Sequence, residues 1–307
     1  MSESKRGPEN LVEYLAGISA DAKVALEKFE QQRQQENMEL LGLLGEEFDT
    51  CWDVLMQEDG PLDKKEEKKF FEAALLIQNS PYYLEYIKRL IKDDMEDLAE
   101  RQSKQELTEK EATAEMRGFA ISFKERLEFF CRLKAPERIT SGGRTAGQLE
   151  AELRQANIDV VDIAHDILRS KEFITSKEQE QIDLVRLRVE DLFPDTDKNP
   201  STNEIYEKAK ELGLELCSAE VGPAYRLAYH PEGELKKEQP TGEWLNIAME
   251  PAAHFEGEND WKSYIFRLER NRAGVWLDTN WTNPTANRWR LGSHLVFRLR
   301  PEKKSEK

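Results

Sequence analysis

From residue 9 to about 134, apolar residues recur at three- and four-residue spacing, and Gly and Pro are confined mainly to breaks, which is the signature of amphipathic helices. Leu11, Leu15, Ile18, Val24, Leu26 and Phe29 lead into "MELLGLLGEEFDTCWDVLM", where Leu40, Leu41, Leu44, Phe48, Cys51, Trp52 and Leu55 form a broad apolar face. Pro61 suits the first turn of the next helix; Ser80 and Pro81 suit the cap and first turn of another. Thr108 and Glu111 have capping-box spacing, and Met116, Phe119, Phe123, Leu127 and Phe130 then fall on one side. The spacing predicts an antiparallel bundle of four to six helices over residues 9–135, with the stripes as core. The heptads are not sustained as a coiled-coil seam requires.

Residues 136–148, "PERITSGGRTAGQ", are read as a linker. Gly142 and Gly143 before Thr145 offer backbone amides to an anion, but no Walker-type Lys follows, so a turn with Thr145 as N-cap is the reading. Two short helices, broken near Asn157, fill 146–170, with His165 as a packing residue. "QIDLVRLRV" reads with period two as a strand over 182–189, or as the end of a helix capped by Thr175 and Glu178; the strand is favoured. Ser201 and Glu204 open a helix that Gly213 ends.

Beyond Gly213 the period changes to two. "AYRLAYH", "GEWLNIAME", "WKSYIFRLER", "GVWLD" and "HLVFRLR" each alternate, with hairpin-length gaps between them. The expectation is an α+β chain: the helical bundle, then a module at 149–301 of short helices and an antiparallel sheet of about five strands, mainly in 214–300, and a charged tail at 302–307.

Charge changes this picture locally. The chain of 307 residues has a formal net charge of -16, which argues against general nucleic-acid or anionic-membrane affinity. The acidity is in front: residues 1–200 hold 29 Lys+Arg and 44 Asp+Glu, whereas 261–300 hold 8 basic and 2 acidic residues and four of the six tryptophans. Cys51, Cys131 and Cys217 are odd in number and far apart, so neither a disulfide framework nor a CxxC site is offered. With no signal-peptide pattern and no apolar run of spanning length, the chain reads as cytoplasmic, without a membrane partner.

"EIYEKAKELGLELCSAEVGPAYRLAYH", followed by "GEWLNIAMEP", "GVWLDTNW" and "LVFRLRP", resembles a C-terminal module that recurs in uncharacterised bacterial proteins. The resemblance reaches back to "RTAGQLEAEL" and "IDLVRLRVEDL", covering about residues 140–300. It implies a boundary near 140, favours the strand reading of "IDLVRLRV", and carries no activity, hence no catalytic residue.

No catalytic or cofactor motif is complete, and neither a cofactor nor a metal is expected. "HFEGEND" gathers His254, Glu256, Glu258 and Asp260 but lacks EF-hand spacing and reads as a hairpin tip. Glu220, Arg226 and His294 are the residues a small hydrolytic site would use, although an ion pair of Glu220 with Arg226 is the simpler role. Stronger is the Trp/Arg set: Trp244 and Trp276 project opposite their apolar strand neighbours, while Trp281 and Trp289 flank a polar loop in which Arg288 and Arg290 bracket the latter. With Arg226, these are the candidate ligand-binding residues. They suit stacking on a sugar ring or a base, against the plainer role of covering the end of a small sheet. The sequence therefore predicts a non-enzymatic interaction protein, with the bundle as adaptor and the sheet module as recognition surface. Its partner is expected to be a protein, with a carbohydrate or single-stranded nucleic acid as the alternative.

Overall fold

The computed structural model describes residues 28, 31–32, 35–56, 62–255 and 261–301, and over these the chain is mixed α+β. Two compact units are formed: one from the chain up to Leu84 with Ile91–Phe123, the other from Glu85–Leu90 with the chain from Lys124 onward. Most of the first expected helix, Pro61, and the loop and tail at 256–260 and 302–307 lie outside the described residues.

In the first unit, residues 35–44 are helical and lead into α1 (Glu46–Leu55) and α2 (Lys64–Gln78), joined by parts of α3 (Pro81–Ser103) and α4 (Glu109–Phe130). The apolar stripe is core: Leu41, Leu44, Phe48, Cys51 and Leu55 are buried. Phe48 meets Phe123 edge-on at 4.7 Å, and Trp52 packs 4.6 Å from Phe71. Asp63 caps α2 by accepting from the amides of Lys65 and Glu66 at 2.8 Å. Ser80 makes no side-chain cap, although Pro81 does open α3. Thr108 and Glu111 cap α4 reciprocally, Glu111 accepting from the Thr108 amide at 2.8 Å and its own amide donating to Thr108 Oγ1 at 3.3 Å.

The second unit is built on a sheet that has nine strands among the described residues. These are β1 (Glu137–Ser141), β2 (Asp159–Val160), β3 (Glu180–Arg188), β4 (Leu214–Glu215), β5 (Trp244–Ile247), β6 (Ala252–Phe255), β7 (Trp261–Arg270), β8 (Val275–Trp281) and β9 (His294–Leu299). The order is β1-β3-β9-β5-β7-β8-β2, with β4 on β9 and β6 on β7. An antiparallel sheet was the expectation; the sheet is mixed, because β5 pairs with β9, and β2 with β8, in parallel. Strands β6, β7 and β8 extend the sheet on the far side of β5, so the chain must cross back over residues 282–293 and enters β9 along the direction of β5. Period two sets the faces of a strand but not its direction.

Residues 180–188 form a strand, and Ile182, Leu184, Val185 and Leu187 are buried on both of its faces. A strand buried twice gives a nearly continuous apolar run, which is why the sequence left it open to a helical reading. Thr175 and Glu178 open no helix. The expected strand "AYRLAYH" is a helix instead, Val221–Ala228. Of its eight residues only Leu227 escapes burial, so there is no polar face to produce a helical period. Tyr225 and Tyr229, which suggested alternation, stand one helical turn apart and stack at 5.7 Å. Gly222 lets this helix lie close on the sheet: a Cβ there would come within 2.6 Å of the Phe266 ring.

Helix Thr202–Glu211 begins with the expected capping box of Ser201 and Glu204 and ends at Gly213, whose φ of 92° is readily adopted only by glycine. Within this unit, Tyr86 Oη donates to the Gly213 carbonyl at 2.6 Å and accepts from the Arg300 amide at 3.0 Å.

Candidate functional site

Residues in register on neighbouring strands project from the same face. Trp244 pairs with Glu269, Glu269 with Trp276, and Trp276 with Asp159, which makes one row across β5, β7, β8 and β2. Two residues along, on the same face, Asn246, Arg267 and Asp278 make a second row. The opposite face carries Leu245, Leu268 and Leu277, then Phe266 and Thr279, and is covered by helix Val221–Ala228 through Gly222.

Arg267 organises the tryptophan face. Its guanidinium lies 4.6 Å from the centroid of the Trp244 ring, and one terminal nitrogen donates both to Glu269 Oε2, at 3.2 Å, and to Asp278. Glu269 Oε1 accepts from Asn271 Nδ2 at 3.0 Å, and Asn271 Oδ1 accepts from Trp276 Nε1 at 3.3 Å. Asn280 Nδ2 donates to Asn246 Oδ1 at 3.1 Å. Trp244 is nonetheless 52% exposed, so the ring face away from Arg267 is open. The face thus combines an open indole, a second indole anchored by its edge, and polar groups already fixed by one another.

The tryptophans of the sequence are not equivalent. Trp281, at the edge of the polar loop, ends β8 and is paired with Tyr264 on the face of Leu277, opposite Trp276. It is 44% exposed there, away from the Trp244 row. Trp289 is buried at 4% exposure, its Nε1 donating to Thr202 Oγ1 at 2.9 Å, and it plugs the core beside Thr282. Arg288 is held by Glu204 at 2.9 Å, and Arg290 is exposed. Arg226 is buried at 1% exposure and donates to Gln239 and to the Tyr229 carbonyl; burial lowers its pKa to about 10. Of the candidate binding residues, the register brings Trp244 and Trp276 together. Arg267, Glu269 and Asp278 complete that set, and the alternation of "YIFRLER" placed Arg267 and Glu269 on its polar side.

The cationic bias of 261–300 also dissolves. Arg267 pairs with Glu269 and Asp278, Arg270 with Glu238, Arg288 with Glu204, Arg298 with Glu180 and Arg300 with Glu215. Four of these glutamates come from elsewhere in the chain, so no basic stripe survives from five of the eight cations.

Glu220, Arg226 and His294 are joined by no hydrogen bond or ion pair among the described residues, so the simple Glu220–Arg226 pair is not formed. Glu220 accepts from the Ser176 amide at 3.1 Å, and burial raises its pKa. His294 has its pKa lowered by burial and faces Glu243, Arg186, Arg188 and Asp191. Of "HFEGEND", residues 256–260 and the side chain of His254 lie outside the described residues; no cluster able to hold a metal occurs among the described ones.

Compared with protein-family models, curated proteins and solved structures, the chain finds no match.

The covered face carries a polar cluster of its own. Arg186 donates to Glu137 at 3.2 Å, to Glu243 at 3.2 Å, to Tyr225 Oη at 3.1 Å and to Tyr229 Oη at 3.3 Å, with its guanidinium 4.7 Å from the Tyr229 centroid. Tyr225 Oη donates to Glu137, which Lys237 also approaches at 2.8 Å. Burial would raise the pKa of Glu137, but Lys237, Tyr225 and Arg186 outweigh it and hold the carboxyl below its ordinary value. Separately, a cavity of about 450 Å³ lies between helix Thr202–Glu211 and β4, lined among others by Tyr206, Leu214, Phe297, Pro251 and Pro284. Tyr206 Oη donates to the Met249 carbonyl at 3.0 Å. The sequence held no signal for this cavity, whose walls come from segments up to about a hundred residues apart.

No helix among the described residues is long and apolar enough to cross a membrane.

Proposed function

We propose that the protein is a non-enzymatic binding protein that recognises its ligand along the row of Trp244, Glu269 and Trp276 on β5, β7 and β8. The helical part, read as an antiparallel bundle, serves as the adaptor. The row Trp244–Glu269–Trp276 carries this reading. A large indole that stays 52% exposed beside charged groups already fixed by hydrogen bonds is a recognition surface prepared in advance. Exposed Leu43, Leu75 and Leu76 in the first unit support its adaptor role, since apolar side chains at the surface invite a protein partner.

The geometry favours binding over hydrolysis. A glycosidase-type pair needs two carboxyl groups free to face the substrate, whereas Glu269 and Asp278 both accept from a single Arg267 nitrogen and Glu269 also accepts from Asn271. It also disfavours nucleic acid, because the arginines of this region are matched by carboxylates.

The test is a binding screen of the full chain on printed glycans, oligonucleotides and peptides, repeated with Trp244→Ala and Trp276→Ala. Ligands retained by the wild type and lost with Trp244→Ala are expected. Ligands that survive both substitutions, or turnover of a ligand, would overturn the reading.

A further inference from the structure

Resting on that reading of the Trp244 face, we propose that its ligand is an uncharged, unbranched β-1,4-linked oligosaccharide, with alternate rings stacked on Trp244 and Trp276.

Charge narrows the class first. Arg267 contributes one positive charge and Glu269 and Asp278 two negative ones, while Asp159 stands in register with Trp276. The face is net negative on a chain of net charge -16, so a phosphate or carboxylate ligand is repelled before it arrives. A small cation finds its best seat taken: the guanidinium of Arg267 already lies on the Trp244 ring and between the two carboxylates. What remains is a neutral molecule that covers the outer face of the indole and hydrogen-bonds to fixed acceptors and amides. A pyranose does both, through its C–H face and its hydroxyls.

Spacing narrows it further. Trp244 and Trp276 lie two strands apart with Glu269 between them, so the backbone carries them about 9.6 Å apart at ordinary strand separation. Each ring of a flat β-1,4-linked chain advances it by nearly one such separation, so rings one and three meet the two indoles while ring two passes over Glu269. An α-1,4-linked chain curls and cannot keep both. Glu269 and Asn271 are hydrogen-bonded to each other beside this row, so hydroxyls meet ordered polar groups there.

Tryptophan fluorescence and calorimetry on the full chain, with cellobiose, cellotriose, chitobiose, chitotriose, maltotriose and oligo(dT) as probes, test this. Cellotriose or chitotriose is expected to bind about tenfold tighter than the matching disaccharide, with little change between low and high salt. Trp276→Ala should reduce the trisaccharide to disaccharide affinity and leave the disaccharide unaffected, and Trp244→Ala should weaken both by about tenfold or more. A trisaccharide no better than its disaccharide, or maltotriose equal to cellotriose, sinks the linkage and spacing. Trp244-dependent binding of oligo(dT) and of no sugar sinks the ligand class and leaves the recognition face standing. Sugar binding that ignores both tryptophans sinks the face as well.

Discussion

The two faces of the sheet carry nearly the same chemical unit. On the covered face Arg186 lies 4.7 Å from the Tyr229 centroid between Glu137 and Glu243; on the other, Arg267 lies 4.6 Å from the Trp244 centroid and bridges Glu269 and Asp278. What differs is the ring. Tyr229, just past the end of helix Val221–Ala228, is buried and stacked on Tyr225 of that helix, whereas Trp244 is 52% exposed. An arginine on an aromatic ring between two carboxylates is thus a structural clamp where every group finds a partner inside the fold. Where the ring is left open, the same unit supplies a surface whose charges are already settled, so that shape and stacking decide what binds.

The comparison breaks most readily at Arg186. Arg186→Leu leaves Glu243 partly buried without its cation and Glu137 with Lys237 alone, a loss of about 3 kcal/mol; urea unfolding that moves by less than 1 kcal/mol would mean that the cluster is not a clamp. Gly222→Ala pushes a methyl group into the Phe266 ring and is expected to cost about 1–3 kcal/mol by overpacking, read from the same transitions. An unchanged midpoint would show that the covering helix can shift.

Acid titration tests the clamp by charge. Because the folded-state pKa of Glu137 lies below its ordinary value of 4.5, its stabilisation is complete above that value and is lost as pH falls through the depressed one. Glu220 has the opposite sign: burial raises its pKa, so its contribution is present below 4.5 and is lost as pH rises through the folded value. Glu137→Gln should therefore flatten the acid limb of stability, and Glu220→Gln should remove a loss on approach to neutrality. A steeper acid limb in Glu137→Gln would contradict the assignment.

Smaller effects separate core from surface. Trp289→Phe loses the bond to Thr202 and about 1 kcal/mol, yet should bind ligand as the wild type does; weakened binding would return Trp289 to the site. Trp244→Ala should leave stability within about 0.5 kcal/mol while removing binding, the reverse of Arg186→Leu.

Local pattern made much of this fold legible. The capping boxes at Thr108 and Ser201, the glycine stop at Gly213 and the strands of 244–247, 261–270 and 294–299 all depend on residues near one another in sequence. Helix Val221–Ala228 was not legible, since a helix buried almost all round has no stripe, and its two tyrosines imitate alternation as easily as they mark a turn. Nor was the site legible as a set: Trp244 and Trp276 could be placed on the polar side of their strands, but Trp289 looked equally available.

By itself, then, the sequence determined which segments were helical or extended at most places and that Trp244 and Trp276 lie opposite Leu245 and Leu277 on their strands, because propensity, capping and alternation act over a few residues. Only the tertiary structure decided that Trp244, Glu269 and Trp276 share a row, that Trp281 faces the other way and that Trp289 is buried. It also decided that the arginines of 261–300 are spent on Glu180, Glu204, Glu215 and Glu238. Strand register and ion pairing join residues far apart along the chain, and no local period encodes which of them will meet.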